Sequence, residues 1–255
     1  MSKIIRIQYI IIGLLLLVIC AGLIYFYCYK KSEHIKSEHI KFLPVKAEEI
    51  RTFANKSVDI LIVGNSISIH GICDYWWGNW GMAASSKNED YVHKLATMIS
   101  RKYNVKFSVI NFAIWEINAH DRDEFLELLN LELSKNPNYL ILQLGENITD
   151  TKTLERDFES FIKHITNISP KTKIIIIGNF WENYVVDDIK NKVCQKYKIT
   201  FVSLKNIQNE KFSNKLGNTV YDESGNIHII EHSGVAKHPN DEGMENIAKL
   251  IYNNL

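Results

Sequence analysis

The sequence predicts an α/β protein: a three-layer α/β/α sandwich built on a mostly parallel five-stranded sheet, preceded by one N-terminal transmembrane helix. Three observations carry this. From about residue 57 onward, short runs of strand type alternate with longer stretches whose apolar residues recur at helical spacing. The strand runs are almost continuously apolar, the pattern of strands covered on both faces. Near the start, Tyr9 to Tyr29 form an uncharged apolar run of the length a bilayer-crossing helix needs.

Composition narrows the function classes. With 46% hydrophobic and 23% charged residues, the chain is rich enough in apolar residues to form a packed core. A formal net charge of +1 argues against a protein held to nucleic acid by a basic surface, so no nucleic-acid partner is expected. Of the four cysteines, Cys20 and Cys28 lie in the apolar run, and Cys73 and Cys194 fall in the globular part. No Cys-x-x-Cys pair is present, so the thiolate zinc pattern is missing.

The chain divides into a tail (residues 1–8), the transmembrane helix (9–29), a polar stalk (30–56) and one domain (57–255). Tyr9 at one end of the span and Tyr25, Tyr27 and Tyr29 at the other suit the interfacial belt, so the lipid bilayer is an expected partner. The run lacks the small-x-small exit of a cleavable signal, and Ile19 is too large for the residue before a lipoprotein cysteine at Cys20. It therefore reads as an uncleaved single-pass anchor. Lys3 and Arg6 before the span and Lys30, Lys31, Lys36 and Lys41 after it leave the orientation mixed. The stalk contains the repeat Ser32–Lys36, Ser37–Lys41, a solvated spacer.

Within the domain, strands are expected at Asp59–Val63, Phe107–Ile110, Tyr139–Leu144, Lys173–Ile177 and Thr200–Val202. Helices are expected at Asp90–Tyr103, Arg122–Leu133, Thr153–Ile168, Asp187–Tyr197 and Asp241–Tyr252. In the first helix Val92, Leu95, Ala96 and Ile99 share a face; in the third, Leu154, Phe158, Phe161, Ile162 and Ile165 do so. Asn240 caps the last helix, with Asp241 and Glu242 in its first turn, and Asp150 is read as capping the third. Repeated β-α units imply parallel strands joined by right-handed crossovers.

In such a sheet the residues just past the strands converge on one edge. These are Ser66 after Gly64-Asn65, Asn111-Phe112-Ala113, Gly145-Glu146-Asn147, and His238-Pro239 leading through Gly243 into the last helix. A hydroxyl, amide donors and an imidazole are the parts that acyl transfer requires. These blocks resemble the SGNH (GDSL-like) hydrolase family. Gly64-Asn65-Ser66 stands for its usual Gly-Asp-Ser, Gly145-Glu146-Asn147 for Gly-x-Asn, and His238-Pro239 through Gly243 for His-Pro-x-x-x-Gly. The stretch Trp80–Ser85 also looks like a subgroup of bacterial members.

The resemblance implies the SGNH/flavodoxin-like fold and a serine esterase that needs no cofactor. Ser66 would be the nucleophile and His238 the general base and acid. Ser66, Ala113 and Asn147 would form the oxyanion hole, with Ala113 standing where the family usually has glycine. Val235 occupies the position of the family's aspartate, three residues before the histidine. A backbone carbonyl or Glu231 would then orient the imidazole, or turnover would be lost. The expected reaction is hydrolysis of an O-acyl ester, acetyl among the candidates, on a carbohydrate or another small ester. An extracytoplasmic domain fits that work. An O-acyltransferase with the same site and a non-catalytic glycan-binding scaffold are the alternatives.

Other residues admit competing readings. His228-x-x-Glu231-His232 matches a zinc-peptidase pattern, but Gly225-Asn226 and Ser233-Gly234 flank it and argue for a loop or short strand over a helix, so no metal is expected. Trp76, Trp77 and Trp80, in a glycine-rich polar setting, and Trp115 are read either as core or as a substrate wall. Trp115-Glu116 and Trp181-Glu182 follow strands and are read as cleft-lining or structural, whereas His70, His93, His120 and His164 carry no expected chemical task.

Overall fold

The computed structural model describes residues 56–255 and the backbone of Phe42–Leu43. The expected span at Tyr9–Tyr29 lies outside the described residues. Among those described, no helix is long and apolar enough to cross a membrane.

Five parallel strands form the sheet: β2 (Ser57–Gly64), β3 (Asn104–Asn111), β4 (Tyr139–Gln143), β5 (Lys173–Ile177) and β6 (Thr200–Val202). The short β1 (Phe42–Leu43) adds an antiparallel sixth strand on the outer edge of β3, giving the order β1-β3-β2-β4-β5-β6. A two-residue segment next to Pro44 carries too little pattern to be read as a strand beforehand, and pairing covers an edge that would otherwise stand open.

Alternation along each strand feeds two cores. Ile60 and Ile62 of β2, Phe107 and Val109 of β3, Ile141 and Ile175 belong to one core with residues of α1 (Tyr91–Ser100) and α8 (Asp241–Tyr252). The alternate residues Leu61, Val63, Ile110, Leu140, Leu142 and Ile176 are equally buried. The other layer holds α5 (Leu154–Ile168) and α6 (Tyr184–Tyr197), which touch one another. Its aromatic packing includes Trp115 against Phe158 and Phe161, and Phe112 against Phe161.

The helix expected over 122–133 breaks into α3 (Arg122–Phe125), a 3-10 turn (Leu126–Leu129) and α4 (Asn130–Leu133). Leu126 and Leu129 are both buried, and their three-residue spacing suits the tighter helix. Arg122 is anchored in the interior by Asp157 at 2.9 Å. Asp150 does not cap α5: its carboxylate accepts the Lys152 N–H in the preceding turn, and Thr153 is the residue before the helix. Cys73 and Cys194 are free.

Register fixes where the chemistry emerges. Gly64 stands opposite Asn111 on one side and Gln143 on the other, so β2, β3 and β4 end in line. The loops that follow leave the same edge of the sheet.

Candidate active site

The β2 strand ends in a tight turn. The Asn65 carbonyl accepts the N–H groups of Ser68 and Ile69, both at 3.0 Å, and its side-chain oxygen accepts that of Ile67 at 3.1 Å. A Cβ at residue 64 would collide with the Ser68 side chain, which is why glycine precedes the turn. Ser66 is lifted to the half-buried tip. Among the described residues no protein acceptor takes the Ser66 N–H.

His238 arrives from the other end of the domain. It follows α7 (Ser233–Ala236) and precedes Asn240, which caps α8 by accepting the Gly243 N–H. The loop is tied down where Asn214 N–H donates to the His238 carbonyl at 2.8 Å and Asn240 Nδ2 donates to Ser213 O at 3.0 Å. His238 Nε2 lies 2.8 Å from Ser66 Oγ, and Nδ1 lies 2.9 Å from the Gly234 carbonyl oxygen. A carbonyl only accepts, so Nδ1 carries the proton and the Nε2 lone pair faces the serine hydroxyl. Burial pushes the imidazole down to about 4, helped by the neighbouring His70 and His232, so the ring is neutral at physiological pH.

Of the two expected partners for Nδ1, a backbone carbonyl and Glu231, the Gly234 carbonyl occupies the place, and the Glu231 side chain is exposed. Val235 belongs to the hydrophobic core. The Trp181 ring stands edge-on to the imidazole, with centroids 5.0 Å apart, and its Nε1–H donates to Lys237 O at 2.8 Å. Tyr75, exposed, stacks on His232 at 4.4 Å.

The expected oxyanion donors have different standings. Ala113 N–H is taken by Asn111 Oδ1 at 3.1 Å, so the structure places this donor in a turn at the start of α2 (Ala113–Ile117) and not free toward the serine. Asn147 Nδ2 donates to Glu116 Oε2 at 2.6 Å, which leaves its second hydrogen unassigned.

Glu116 is the residue that sequence reasoning underrated. It is 1% exposed and receives only donors: Gly145 N–H, Asn65 Nδ2 at 3.1 Å, Asn147 N–H at 3.4 Å and Asn147 Nδ2. A second carboxylate, Glu146, accepts Asn65 Nδ2 at 2.7 Å and Phe180 N–H at 3.0 Å. Burial, reinforced by the charge of Glu146, pushes Glu116 up to about 7. The fully buried Lys190 supplies nearby positive charge, donating to Ile177 O at 3.0 Å and to Asn179 Oδ1 and lying 3.7 Å from Asp187. The available signal was a lone carboxylate inside the apolar run Phe112–Ile117.

The tryptophan wall needs correction. Trp76, Trp80 and Trp115 are almost wholly buried, at 1%, 1% and 0% exposure, and cannot present a face to substrate. Trp76 and Trp80 pack edge to face at 5.9 Å, whereas Trp115 packs against Phe158 and Phe161 of α5. Trp77 is half-buried and stacks on His228 at 4.4 Å. His228 sits in a short strand (Ile227–Ile229) facing Asp222 at 3.2 Å, while His232 stacks on Tyr75, so the two histidines of the zinc-like pattern do not share a helical face. Among the described residues no three His, Cys, Asp or Glu side chains are grouped as a metal site would require. A separate cleft of about 440 Å³ opens at the amino-terminal edge of β4, β5 and β6, beside Tyr139, Lys173 and Thr200.

Comparison with known proteins adds to this geometry. No family model and no curated protein matches the chain. Among solved structures, a two-domain esterase (CEX) active on acetylated mannans, co-crystallized with mannopentaose, aligns with a TM-score of 0.52 at 17% identity, over 78% of this chain and 48% of that one. The chain thus spans about half the length of that esterase. A Clostridium thermocellum family 3 carbohydrate esterase aligns with a TM-score of 0.52 at 16% identity, over 78% of this chain and 94% of the other. This chain has the fold of these two esterases.

Proposed function

We propose that this chain is a serine esterase that removes an acyl group, acetyl in the first instance, from a hydroxyl of a carbohydrate. The observation that carries the reading is the 2.8 Å approach of Ser66 Oγ to His238 Nε2, with the ring's other nitrogen protonated against Gly234 O. In the first half-reaction Ser66 Oγ attacks the ester carbonyl carbon while its proton passes to His238 Nε2. The carbon–oxygen bond to the alcohol breaks, His238 returns the proton to the leaving oxygen, and the acyl group stays on Ser66. In the second, a water gives its proton to Nε2 and attacks the acyl carbon, and Ser66 regains its hydrogen as the acid leaves. The developing oxyanion would be held by the Ser66 N–H and the second hydrogen of Asn147 Nδ2.

The carbohydrate part rests on what the structural neighbours are said to act on, and on two aromatic rings, Trp181 edge-on to His238 and the exposed Tyr75 stacked on His232. The Tyr9–Tyr29 run supports a membrane tether, and work on a glycan calls for the domain to lie outside the cytoplasm, against the lysines that follow the span. The test uses the full chain in detergent with an activated acetyl ester. Release of alcohol is expected to fall to background in Ser66→Ala and in His238→Ala, and a serine-directed phosphonate should label Ser66 alone. Turnover that survives both substitutions removes the proposal.

A further inference from the structure

We infer that Glu116 is a positioning residue for catalysis: its buried carboxylate fixes which way the Asn147 amide points and ties the nucleophile's neighbour Asn65 to the same anchor. The inference rests on the esterase reading above. A side-chain amide has two faces, one that donates and one that accepts, and either fits a given slot by shape. An ionised carboxylate accepts only. With Glu116 Oε2 at 2.6 Å, the Asn147 nitrogen is the only end that fits there, because the flipped amide would set oxygen against oxygen. The second Nδ2 hydrogen is then left for the oxyanion, and the amide arrives already oriented, as preorganised stabilisation requires.

The other oxygen extends the clamp. Glu116 Oε1 takes the Gly145 N–H and Asn65 Nδ2, so one carboxylate joins the loop after β4 to the turn that carries Ser66. Four donors from three residues converge on it, and none of its contacts is to an acceptor. Lys190, buried in the same region, partly balances the charge of Glu116 and Glu146. A group placed only to fill space would not need to be acceptor-only.

That distinction gives the experiment. Glutamine at residue 116 keeps the shape but replaces one of the two acceptor oxygens with an NH₂, so it cannot accept from Asn147 Nδ2 on one side and from Gly145 N–H and Asn65 Nδ2 on the other; aspartate keeps both acceptors but leaves a void. Steady-state kinetics on the full chain with an activated acetyl ester should show kcat down by roughly 10²-fold in Glu116→Gln, with KM little changed, similar to Asn147→Ala. Glu116→Asp should retain more kcat than Glu116→Gln. The double variant Glu116→Gln/Asn147→Ala should lose clearly less than the product of the two single losses, since the first residue acts largely through the second. Multiplying losses in the double variant, a full rate in Glu116→Gln or in Asn147→Ala, or a ranking with Glu116→Gln faster than Glu116→Asp would each overturn the inference. Should Glu116→Gln fail to fold, Glu116→Asp against Asn147→Ala decides it: loss of kcat in both, with KM retained, supports the clamp, and a wild-type rate in Glu116→Asp/Asn147→Ala overturns it. Activity that persists in Ser66→Ala would instead remove the esterase reading and leave the clamp geometry untouched.

Discussion

Asn65→Asp restores the residue usual in the family the motifs resemble, and in this protein it is expected to be harmful. Asn65 is wholly buried and its Nδ2 donates to Glu146 at 2.7 Å and to Glu116 at 3.1 Å. Aspartate would put an oxygen where that nitrogen stands, facing two carboxylates. If all three stayed ionised, each pair about 3 Å apart would cost ~5–6 kcal/mol at an effective dielectric near 20. The protein has a cheaper response, which is to take up one proton beyond the one Glu116 already holds below about pH 7, and to share it between two of the oxygens. Holding on a carboxyl a proton that the unfolded chain releases near pH 4 costs ~1.4 kcal/mol per pH unit, so about 4 kcal/mol at pH 7. The folded state binds the extra proton and the unfolded state does not, so the penalty grows as pH rises from about 4 and fades as it falls. Urea denaturation of the purified chain at pH 5 and pH 7 should show the variant weakened at both, by ~2–3 kcal/mol more at the higher pH. An equal change at both values would mean that the three side chains do not share one buried charge problem, and the reasoning fails.

Three further outcomes follow from the same geometry. The acid limb of kcat/KM should lie near pH 7 in the wild type, because Glu116, pushed up to about 7 by burial, clamps Asn147 only when ionised; in the residual activity of Glu116→Gln it should move toward about 4, where His238 titrates, and a pH–rate profile that keeps its limb would contradict this. Gly145→Ala should lose several kcal/mol in a thermal melt and most of the activity, since residue 145 has φ +143° and a Cβ there would collide with Asn179 and Lys190. Arg122→Leu should cost ~1–3 kcal/mol in chemical denaturation, because the buried carbonyls of Trp115 and Glu116 lose their Arg122 donors while Asp157 keeps Arg156 at 2.9 Å and Thr153 Oγ1 at 2.7 Å; an unchanged midpoint would show that Arg122 carries little.

What the sequence disclosed depended on range. The five strands were legible because each contains a short, mostly apolar run, and Lys173–Ile177 and Thr200–Val202 needed no adjustment of bounds. Ser66 could be placed on paper because it sits just past a strand, and His238 because its His-Pro-x-x-x-Gly block resembles the last motif of the family. The buried polar cluster was not legible for the opposite reason. Asn65, Glu116, Glu146 and Lys190 come from four different segments, and nothing in the local pattern around any one of them says that they meet. The tryptophans stay ambiguous in the sequence because a polar, glycine-rich neighbourhood suits an exposed loop as well as a packed one. Gly78 and Gly81 are there because larger residues would strike Trp80 and the Ile67 carbonyl, so the glycines report tight packing around the rings.

The carbonyl at His238 bears on how such a site works without the expected aspartate. A carboxylate partner does two things for a catalytic imidazole: it selects the tautomer, and it stabilises the positive ring that forms when the serine proton is taken. Gly234 O supplies the first in full, since it can only accept, at 2.9 Å. It supplies the second weakly, having a dipole where a charge would stand, and burial of the ring works in the same unfavourable direction. The deficit is therefore one of charge and not of geometry. Restoring a carboxylate at residue 235 should not repair it, because Val235 is 1% exposed and packed in the hydrophobic core. Val235→Asp is expected to lower stability by burying an unpaired carboxyl and to leave the rate at or below wild type, measured by thermal melt and initial velocities. A gain in kcat from that substitution would mean that the α7 loop turns the side chain toward Nδ1 and displaces the Gly234 carbonyl, and the carbonyl-held dyad would have to be given up.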